Sequence, residues 1–232
     1  MLYRMPLCIV LLLLLLKAFL CQRVQSQSCL NMEKIEGRRE IPKLDYHPVV
    51  ILPINDTVVL DLTKPPIIPG PLWSIGKYDE DRVIYDQPLF EGKRTIHVGI
   101  DLGGPPYSAV HAFWDGRIIE AGINRAAGDY GPTLISEHKF FGNDTIILYA
   151  LFGHLSTASL SLSPIGREFK RGDVIAWLGK EDENGGWPPH VHFQLSWERP
   201  QTHDMPGAVS KQDREAALNV YPDPQLILGK LY

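Results

Sequence analysis

Short runs of β-branched and aliphatic residues recur along the chain from residue 48 onward, and turn-forming residues separate them. Hydrophobic and polar positions alternate within several of these runs, a pattern typical of strands. We predict strands over 48–54, 57–62, 94–101, 108–113, 116–123, 132–138, 144–151, 173–178 and 190–197. A proline-rich loop is predicted over 63–72 and one short C-terminal helix over 211–218. Regular short strands with little helix indicate an all-β fold, an antiparallel sandwich or open barrel.

The N-terminus has a different pattern. Arg4 precedes an apolar run over residues 5–16, which is shorter than the roughly 20 residues needed to span a bilayer. Such a run is typical of the hydrophobic region of a signal peptide, and Val24 and Ser26 are small enough for the cleavage site. We predict a signal peptide over 1–26 and a secreted protein with no stable membrane anchor after cleavage. The alternative is an uncleaved signal anchor.

Composition narrows the class of protein further. The 232 residues are 44% hydrophobic and 22% charged, which is ordinary for a globular domain, and the formal net charge is -4. An acidic balance argues against nucleic acid as a partner, since phosphate binding needs clustered basic residues. Of the three cysteines only Cys29 follows the signal peptide, so no internal disulfide framework is expected. Sequons at Asn55 and Asn143 agree with a secreted glycoprotein.

The first of two histidine patterns is the segment His97-Val98-Gly99-Ile100-Asp101. The β-branched residues and the glycines and prolines that follow disfavour a helix here. On a straight strand, His97 and Asp101 share a face but lie about 13 Å apart. The backbone must therefore bend if both are to reach one ion, and Gly99 permits that bend.

The second pattern is His190 and His192 on the last predicted strand. Alternation places both imidazoles on one face with about 7 Å between their backbones. Val191, Phe193 and Leu195 then face the core. One histidine of such a pair can ligate a metal while the other reaches a bound water or substrate.

Two imidazoles and a carboxylate from distant segments form a typical catalytic zinc set with an open fourth position. The metal would acidify its water and polarise a carbonyl group. A neutral histidine nearby would take the proton from the water and return it to the leaving amine. From spacing alone, the alternative remains that these histidines are ordinary core or surface residues.

Three motifs in order, HVGID, GHLS and PHVHFQL, resemble the lysostaphin-like (β-lytic) zinc metallopeptidases. Those enzymes cut peptide bonds in bacterial cell-wall cross-links, often at glycine. The resemblance runs from about residue 90 to 197 and implies a sheet fold of the lysostaphin-like, duplicated hybrid motif type. It also implies one Zn²⁺ ion and a peptide or peptidoglycan substrate.

Carried over by position, the resemblance implies that His97, Asp101 and His192 are the zinc ligands. His154 and His190 would then be the catalytic histidines. One of them would act as the base while the other stabilises the oxyanion or the tetrahedral intermediate. The sequence does not divide these two roles.

The loop before the second pattern departs from the family. It reads ENGGWPPH over residues 183–190, whereas the family often has a Ser/Thr-Gly-rich approach such as STGPH. We expect this loop to help form the wall of the substrate groove, which weakens the inference of a glycyl bond. With the C-terminal tail, the loop resembles peptidase-like domains fused to kinase-like and aminotransferase domains.

The chain is thus predicted to contain five segments. They are the signal peptide (1–26), a leader (27–45), N-terminal strands with the proline-rich loop packed on the core (46–93), a zinc metallopeptidase-like β core (94–200) and a C-terminal tail (201–232).

The predicted function is a secreted zinc metalloendopeptidase that hydrolyses peptide bonds, with cell-wall cross-links as the expected substrate. A noncatalytic wall- or protein-binding module on the same fold is the first alternative. A non-haem iron oxygenase is the second, since two histidines and a carboxylate also form its facial triad. That class usually shows H-x-D rather than H-x₃-D. Arg199 would have to grip a 2-oxo acid, and the H-x-H pattern would stay unexplained.

Overall fold

An eight-stranded sheet, called the large sheet below, is the central element of the protein in a computed structural model. The structure describes residues 40–65, 72–142 and 144–232. The predicted signal peptide, most of the leader and the tip of the proline-rich loop lie outside these residues. In the described part of the chain, no helix has the length and apolar character needed to cross a membrane.

The described strands are short and follow one another closely. They are β1 (Thr57–Val59), β2 (Trp73–Gly76), β3 (Glu80–Asp81), β4 (Arg94–His97), β5 (Ile100–Gly103), β6 (Ala109–His111), β7 (Gly116–Asn124), β8 (Gly131–Phe140), β9 (Ile146–Gly153), β10 (Glu168–Phe169), β11 (Val174–Trp177), β12 (His190–Ser196) and β13 (Ala208–Ser210). A 3-10 helix covers Pro88–Phe90, and the α-helices are α1 (Ala158–Leu162), α2 (Arg214–Val220) and α3 (Gln225–Leu228).

The large sheet has the strand order β1-β2-β5-β12-β9-β8-β7-β10. Two smaller sheets accompany it, one of β11 and β6 and one of β13, β4 and β3. The strand pairs are antiparallel except for β1 with β2, which run parallel. The predicted all-β fold of antiparallel sheets with few helices is therefore confirmed.

Both faces of the large sheet are covered. On β12, Val191, Phe193 and Leu195 are fully buried in the main core, which also takes in residues of the small β6–β11 sheet. The opposite face carries a second apolar cluster that includes Ile135 and Leu151. This double burial explains why β9 is a nearly continuous hydrophobic run, and it leaves only Lys139 of β8 exposed. The face of the second cluster is also the face that carries His190 and His192.

Two strand predictions need correction. Residues 48–54 form no strand, because Pro48 and Pro53 cannot donate to a ladder and the chain instead makes isolated bonds such as His111 N–H to the Val49 carbonyl. Residues 94–101 are two strands rather than one. β4 ends at His97 and β5 begins at Ile100, and the two belong to different sheets.

The helix predicted over 211–218 is present as α2, shifted toward the C-terminus because Lys211–Asp213 form a turn. The helices α1 and α3 were not predicted, since both are single turns too short to show a hydrophobic period.

A candidate metal centre on the large sheet

Strand pairing brings the first two residues of the site together. In the antiparallel pair of β5 and β12, Asp101 lies directly opposite His192. Their side chains share the face of the sheet that also carries His190. Backbone hydrogen bonds between β5 and β12 thus bring together two residues that are 91 positions apart in the sequence.

His97 reaches the same point from another sheet. It is the last residue of β4, and the backbone turns at Val98 and Gly99 before β5 begins. A Cβ atom on Gly99 would lie 2.5 Å from the His192 ring, so only glycine leaves room for that imidazole. Gly99 therefore supplies both the bend that the spacing requires and the space for the ring opposite.

Three potential ligand atoms converge here. His97 Nε2 lies 2.9 Å from His192 Nδ1 and 3.2 Å from Asp101 Oδ1, and His192 Nδ1 lies 3.1 Å from the same oxygen. Among the described residues these three form the one group of three or more His, Cys, Asp or Glu side chains with ligand atoms within 4.8 Å of one another. We call it the His97–Asp101–His192 cluster.

Hydrogen bonds on the far side of each imidazole set the tautomers. The Nδ1–H of His97 donates to the Lys77 carbonyl over 2.8 Å. The Nε2–H of His192 donates to Gln194 Oε1 over 2.9 Å, and the Gln194 amide in turn donates to the Pro206 carbonyl. A carbonyl oxygen only accepts, so the inward nitrogens, His97 Nε2 and His192 Nδ1, carry lone pairs.

Arg82 holds the carboxylate. Its Nη1 donates to Asp101 Oδ2 over 2.6 Å and leaves Oδ1 turned toward the two imidazoles. The guanidinium is almost fully buried and also contacts Glu80, the Tyr85 hydroxyl and the Lys77 carbonyl. One arginine therefore orients Asp101 directly and fixes the carbonyl that orients His97.

The electrostatics favour a neutral imidazole beside a charged carboxylate. Burial, followed by the charge of Arg82, lowers the pKa of His97 to about 3. Burial opposes the charge of Asp101, yet the neighbouring His97 and Arg82 outweigh it and hold the pKa of that carboxyl well below its usual value. These shifts favour a neutral His97 beside an ionised Asp101 at neutral pH.

These donors fit zinc. Tetrahedral zinc with nitrogen and oxygen ligands at 2.0–2.2 Å keeps its ligand atoms about 3.3 Å apart, close to the spacing of the cluster. Two nitrogen lone pairs that face each other at 2.9 Å repel unless a cation lies between them. Three protein ligands leave the fourth position open.

The two remaining histidines lie beside the cluster. His190 begins β12, and His154 directly follows β9. Their rings pack against each other at a tilt of 36°, with 4.3 Å between centroids. His190 Nδ1 donates to the Pro188 carbonyl and His154 Nδ1 donates to the Asn184 carbonyl, each over 2.7 Å. Both Nε2 atoms therefore carry lone pairs and are free of these bonds.

Both histidines are held neutral. Burial, followed by the charge of His190, puts the pKa of His154 well below its ordinary value. Burial likewise lowers the pKa of His190, and the nearby Asp101 only partly offsets it. At neutral pH each ring can accept a proton, which is what a general base requires.

The backbone at His154 is strained, with φ of +60° in the left-handed region. Three bonds hold it there: His154 N–H to the Tyr130 carbonyl, Gly179 N–H to the His154 carbonyl, and the ring to the Asn184 carbonyl. Such a conformation costs about 1–3 kcal/mol and persists only where several contacts impose it, as at functional sites.

The loop before β12 is organised by the fully buried Asn184. Its side-chain oxygen accepts from the N–H groups of Gly186 and Trp187, and its amide donates to the Gly179 and Trp187 carbonyls. Trp187 then lies with its ring 6.4 Å from that of His154. The loop thus forms a wall beside the histidines, as its sequence led us to expect.

A cleft of about 670 Å³ opens over the site. All five residues singled out from the sequence line it, namely His97, Asp101, His154, His190 and His192. The other histidines lie elsewhere. His138 is buried between Ser136 Oγ and the Asp115 carbonyl, and His111 stacks on His47.

Sequence reasoning missed the residues that orient the cluster. The sequence does contain a signal for Gln194, because this residue lies two positions after His192 and so shares its strand face. Arg82 and Glu80 had none, since β3 is two residues long and its contacts with the site are purely tertiary.

The sequence comparison finds one family. Residues 95–204, which contain all five site residues, match the family described as "Peptidase family M23". No curated protein matches the chain.

Three of the solved structures to which the chain is similar are named as peptidases. A zinc-containing peptidase from Vibrio cholerae is 25% identical, with a TM-score of 0.38 over 52% of this chain and 32% of that one. The antimicrobial peptidase lysostaphin from Staphylococcus simulans is 21% identical, with a TM-score of 0.42 over 69% of this chain and 53% of that one. A putative M23 peptidase from Pseudomonas aeruginosa is 16% identical, with a TM-score of 0.39 over 91% and 63%. The chain thus spans a third to two thirds of the length of these three proteins.

Proposed function

Since residues 95–204 form a domain of peptidase family M23, a family of metallopeptidases, we propose that this chain is a secreted zinc metalloendopeptidase. His97, Asp101 and His192 hold the zinc ion, and His154 and His190 are the catalytic residues. The substrate we propose is bacterial cell-wall peptide. The proposed catalytic core is the segment 94–200.

One observation carries this proposal. The inward nitrogens of His97 and His192 and Oδ1 of Asp101 lie within 3.2 Å of one another, and the hydrogen bonds behind each imidazole turn its lone pair inward. This arrangement supports a cation site with two imidazole nitrogens and one carboxylate oxygen, a ligand set that catalytic zinc sites with an open position use.

The chemistry follows from the residues around the open position. Bound zinc supplies a Lewis acid and an acidified water at this position. His154 and His190 each present a free Nε2 lone pair, and their lowered pKa values keep them unprotonated until they take a proton. One histidine removes a proton from the attacking water and returns it to the leaving amine. The other would stabilise the tetrahedral intermediate, because the hydroxyl that the attacking water leaves on it can donate to this ring's free Nε2.

Secretion is part of the proposal. Its support is the N-terminal apolar run over residues 5–16 and the acidic chain with one cysteine after the predicted cleavage site. The sequon residue Asn55 is exposed in a turn, where a glycan can attach without disturbing the fold. The second sequon residue, Asn143, lies outside the described residues.

Digestion of cross-linked wall peptide by the purified, zinc-loaded chain tests the proposal. We expect hydrolysis by the natural chain and its loss in His190→Ala with zinc still bound. His111→Ala is the matched control, because this histidine lies outside the cleft and should leave hydrolysis unchanged. A chain that binds zinc but leaves every peptide intact would instead support a noncatalytic module.

A further inference from the structure

One wall of the cleft is apolar and comes from outside the matched family segment. Leu60, Leu62, Ile84, Leu89 and Phe90 line it, and all precede residue 95. None of the five belongs to the hydrophobic clusters that make up the core of the described residues. Leu62 and Phe90 are nevertheless only 7% exposed. These side chains therefore line a recess in the cleft and lie outside the three core clusters, and we call them the apolar wall.

The apolar wall adjoins the metal centre through Tyr85. The Tyr85 ring stacks on Phe90 with 4.4 Å between centroids. Its hydroxyl accepts from Arg82 Nη1 over 3.1 Å, and the same nitrogen donates to Asp101 over 2.6 Å. A single arginine thus separates the apolar wall from a proposed zinc ligand.

Aromatic rings continue the apolar wall toward the catalytic histidines. Trp187 lies edge-on to Tyr85 at 6.3 Å and to His154 at 6.4 Å. Its indole N–H is engaged by the Gly128 carbonyl, so the ring offers its faces and edges rather than a donor. The recess is therefore continuous with the position where a bond would be cut.

The two arginines beside the apolar wall are already engaged. Arg94 lies over the Phe90 ring at 5.5 Å and donates to the Leu89 carbonyl. Arg82 is paired with Glu80 and Asp101. An anionic substrate side chain would therefore lose its hydration here without a free arginine, whereas an apolar side chain gains from burial.

We propose that the apolar wall is a specificity subsite for a bulky aliphatic or aromatic side chain next to the scissile peptide bond. The inference rests on the proposed peptidase function and refines its substrate class. A glycine at this position would leave the recess unfilled and forgo the burial of an apolar side chain. Wall cross-links made of glycine or alanine would then still be cleaved, as the proposed function requires, but more slowly than peptides that carry leucine or phenylalanine at this position.

A peptide series tests the subsite in the zinc-loaded full chain. Fluorescence-quenched peptides of one sequence would carry Gly, Ala, Leu or Phe at the position before the cut or at the position after it. We expect kcat/KM to be at least about tenfold higher for Leu or Phe than for Gly on one side of the bond, the range that apolar pockets give. Equal values on both sides would overturn the subsite and leave the peptidase proposal standing. No cleavage of any peptide would overturn both.

Substitutions in the apolar wall test whether it causes the preference for leucine over glycine. Phe90→Ala and Ile84→Ala should each reduce the ratio of Leu to Gly cleavage by several-fold, since each removes part of the recess. Phe141→Ala is the matched control, because Phe141 is 83% exposed and does not line the cleft. A ratio that stays at the natural value in folded Phe90→Ala and Ile84→Ala would assign the preference elsewhere and overturn the proposal.

Discussion

The Nε2 atom of His97 lies 2.9 Å from the Nδ1 atom of His192, although 95 positions separate the two residues. Each nitrogen turns a lone pair toward the other, because the Lys77 carbonyl and the Gln194 side chain bind the protons on the far sides of the rings. With Asp101 Oδ1 beside them, three electron-rich atoms meet at one buried point. A cation there stabilises the fold, and its removal leaves the repulsion behind.

Zinc should therefore stabilise the protein. At a free concentration of 100 times its dissociation constant, zinc raises the free energy of unfolding by about 3 kcal/mol if it binds only the folded chain. Denaturant unfolding with and without a chelator measures the difference. His192→Ala should lose this zinc dependence and His111→Ala should keep it. Equal stability of the natural chain in both conditions would contradict the prediction.

Arg82 should control zinc affinity without touching the ion. Arg82→Lys keeps a positive charge but cannot hold Asp101, Glu80 and the Lys77 carbonyl together. Loss of such an orienting group costs about 10- to 100-fold in metal affinity. Zinc titration against a competing chelator measures this. Arg214→Lys, at an exposed arginine paired with Asp79, should bind zinc like the natural chain. Unchanged affinity in Arg82→Lys would show that Asp101 is positioned by other contacts.

The two catalytic histidines should separate catalysis from metal binding. His154→Ala and His190→Ala are each expected to lower kcat by about 10²- to 10⁴-fold, the usual contribution of a general acid or base. Zinc content should stay at one ion per chain in both variants, since neither residue belongs to the His97–Asp101–His192 cluster. Metal analysis and steady-state kinetics on the same samples check both points. A variant that loses its zinc would be a structural variant rather than a catalytic one.

The three residues of the His97–Asp101–His192 cluster could be predicted from the sequence because local rules determine their positions. The alternation around His192 fixes a strand face, and Gly99 explains how His97 and Asp101 can meet despite an extended backbone between them. The structure shows this bend as a change of sheet, which spacing alone does not reveal. The strand predicted over 48–54 was wrong, because its hydrophobic pattern outweighed the two prolines in our interpretation. Val49 and Val50 are buried, but Ile51 and Ile54 are exposed, and Pro48 and Pro53 prevent a ladder.

Arg82, which orients Asp101, could not be predicted in this way. Arg82 directly follows the two-residue strand β3 and acts on Asp101 across 19 positions, and nothing in its neighbourhood carries a period or motif. The apolar wall is similar. Nothing in the sequence around Leu62 or Phe90 marks them as lining a cleft, and only the fold shows that they do.

Stability should also fall in acid through a histidine outside the site. Burial lowers the pKa of His138 from 6.5 to about 4. Between these two pH values, His138 is therefore protonated in the unfolded chain but neutral in the folded chain. The stability at neutral pH is therefore lost progressively as the pH falls from about 6.5 toward 4. The loss from this group is about 2 kcal/mol between pH 7.5 and pH 5.

Unfolding of the natural chain and of His138→Gln at both pH values, without zinc, isolates this contribution. The natural chain should lose about 2 kcal/mol more than the variant over this interval. An equal loss in the two proteins would place the acid sensitivity in other groups.

The most direct test of the metal centre is a crystal of the zinc-loaded chain with diffraction data on both sides of the zinc absorption edge. We predict one anomalous peak at about 2.0–2.2 Å from His97 Nε2, His192 Nδ1 and Asp101 Oδ1. A zinc peak elsewhere, or none between these three side chains, would contradict the account.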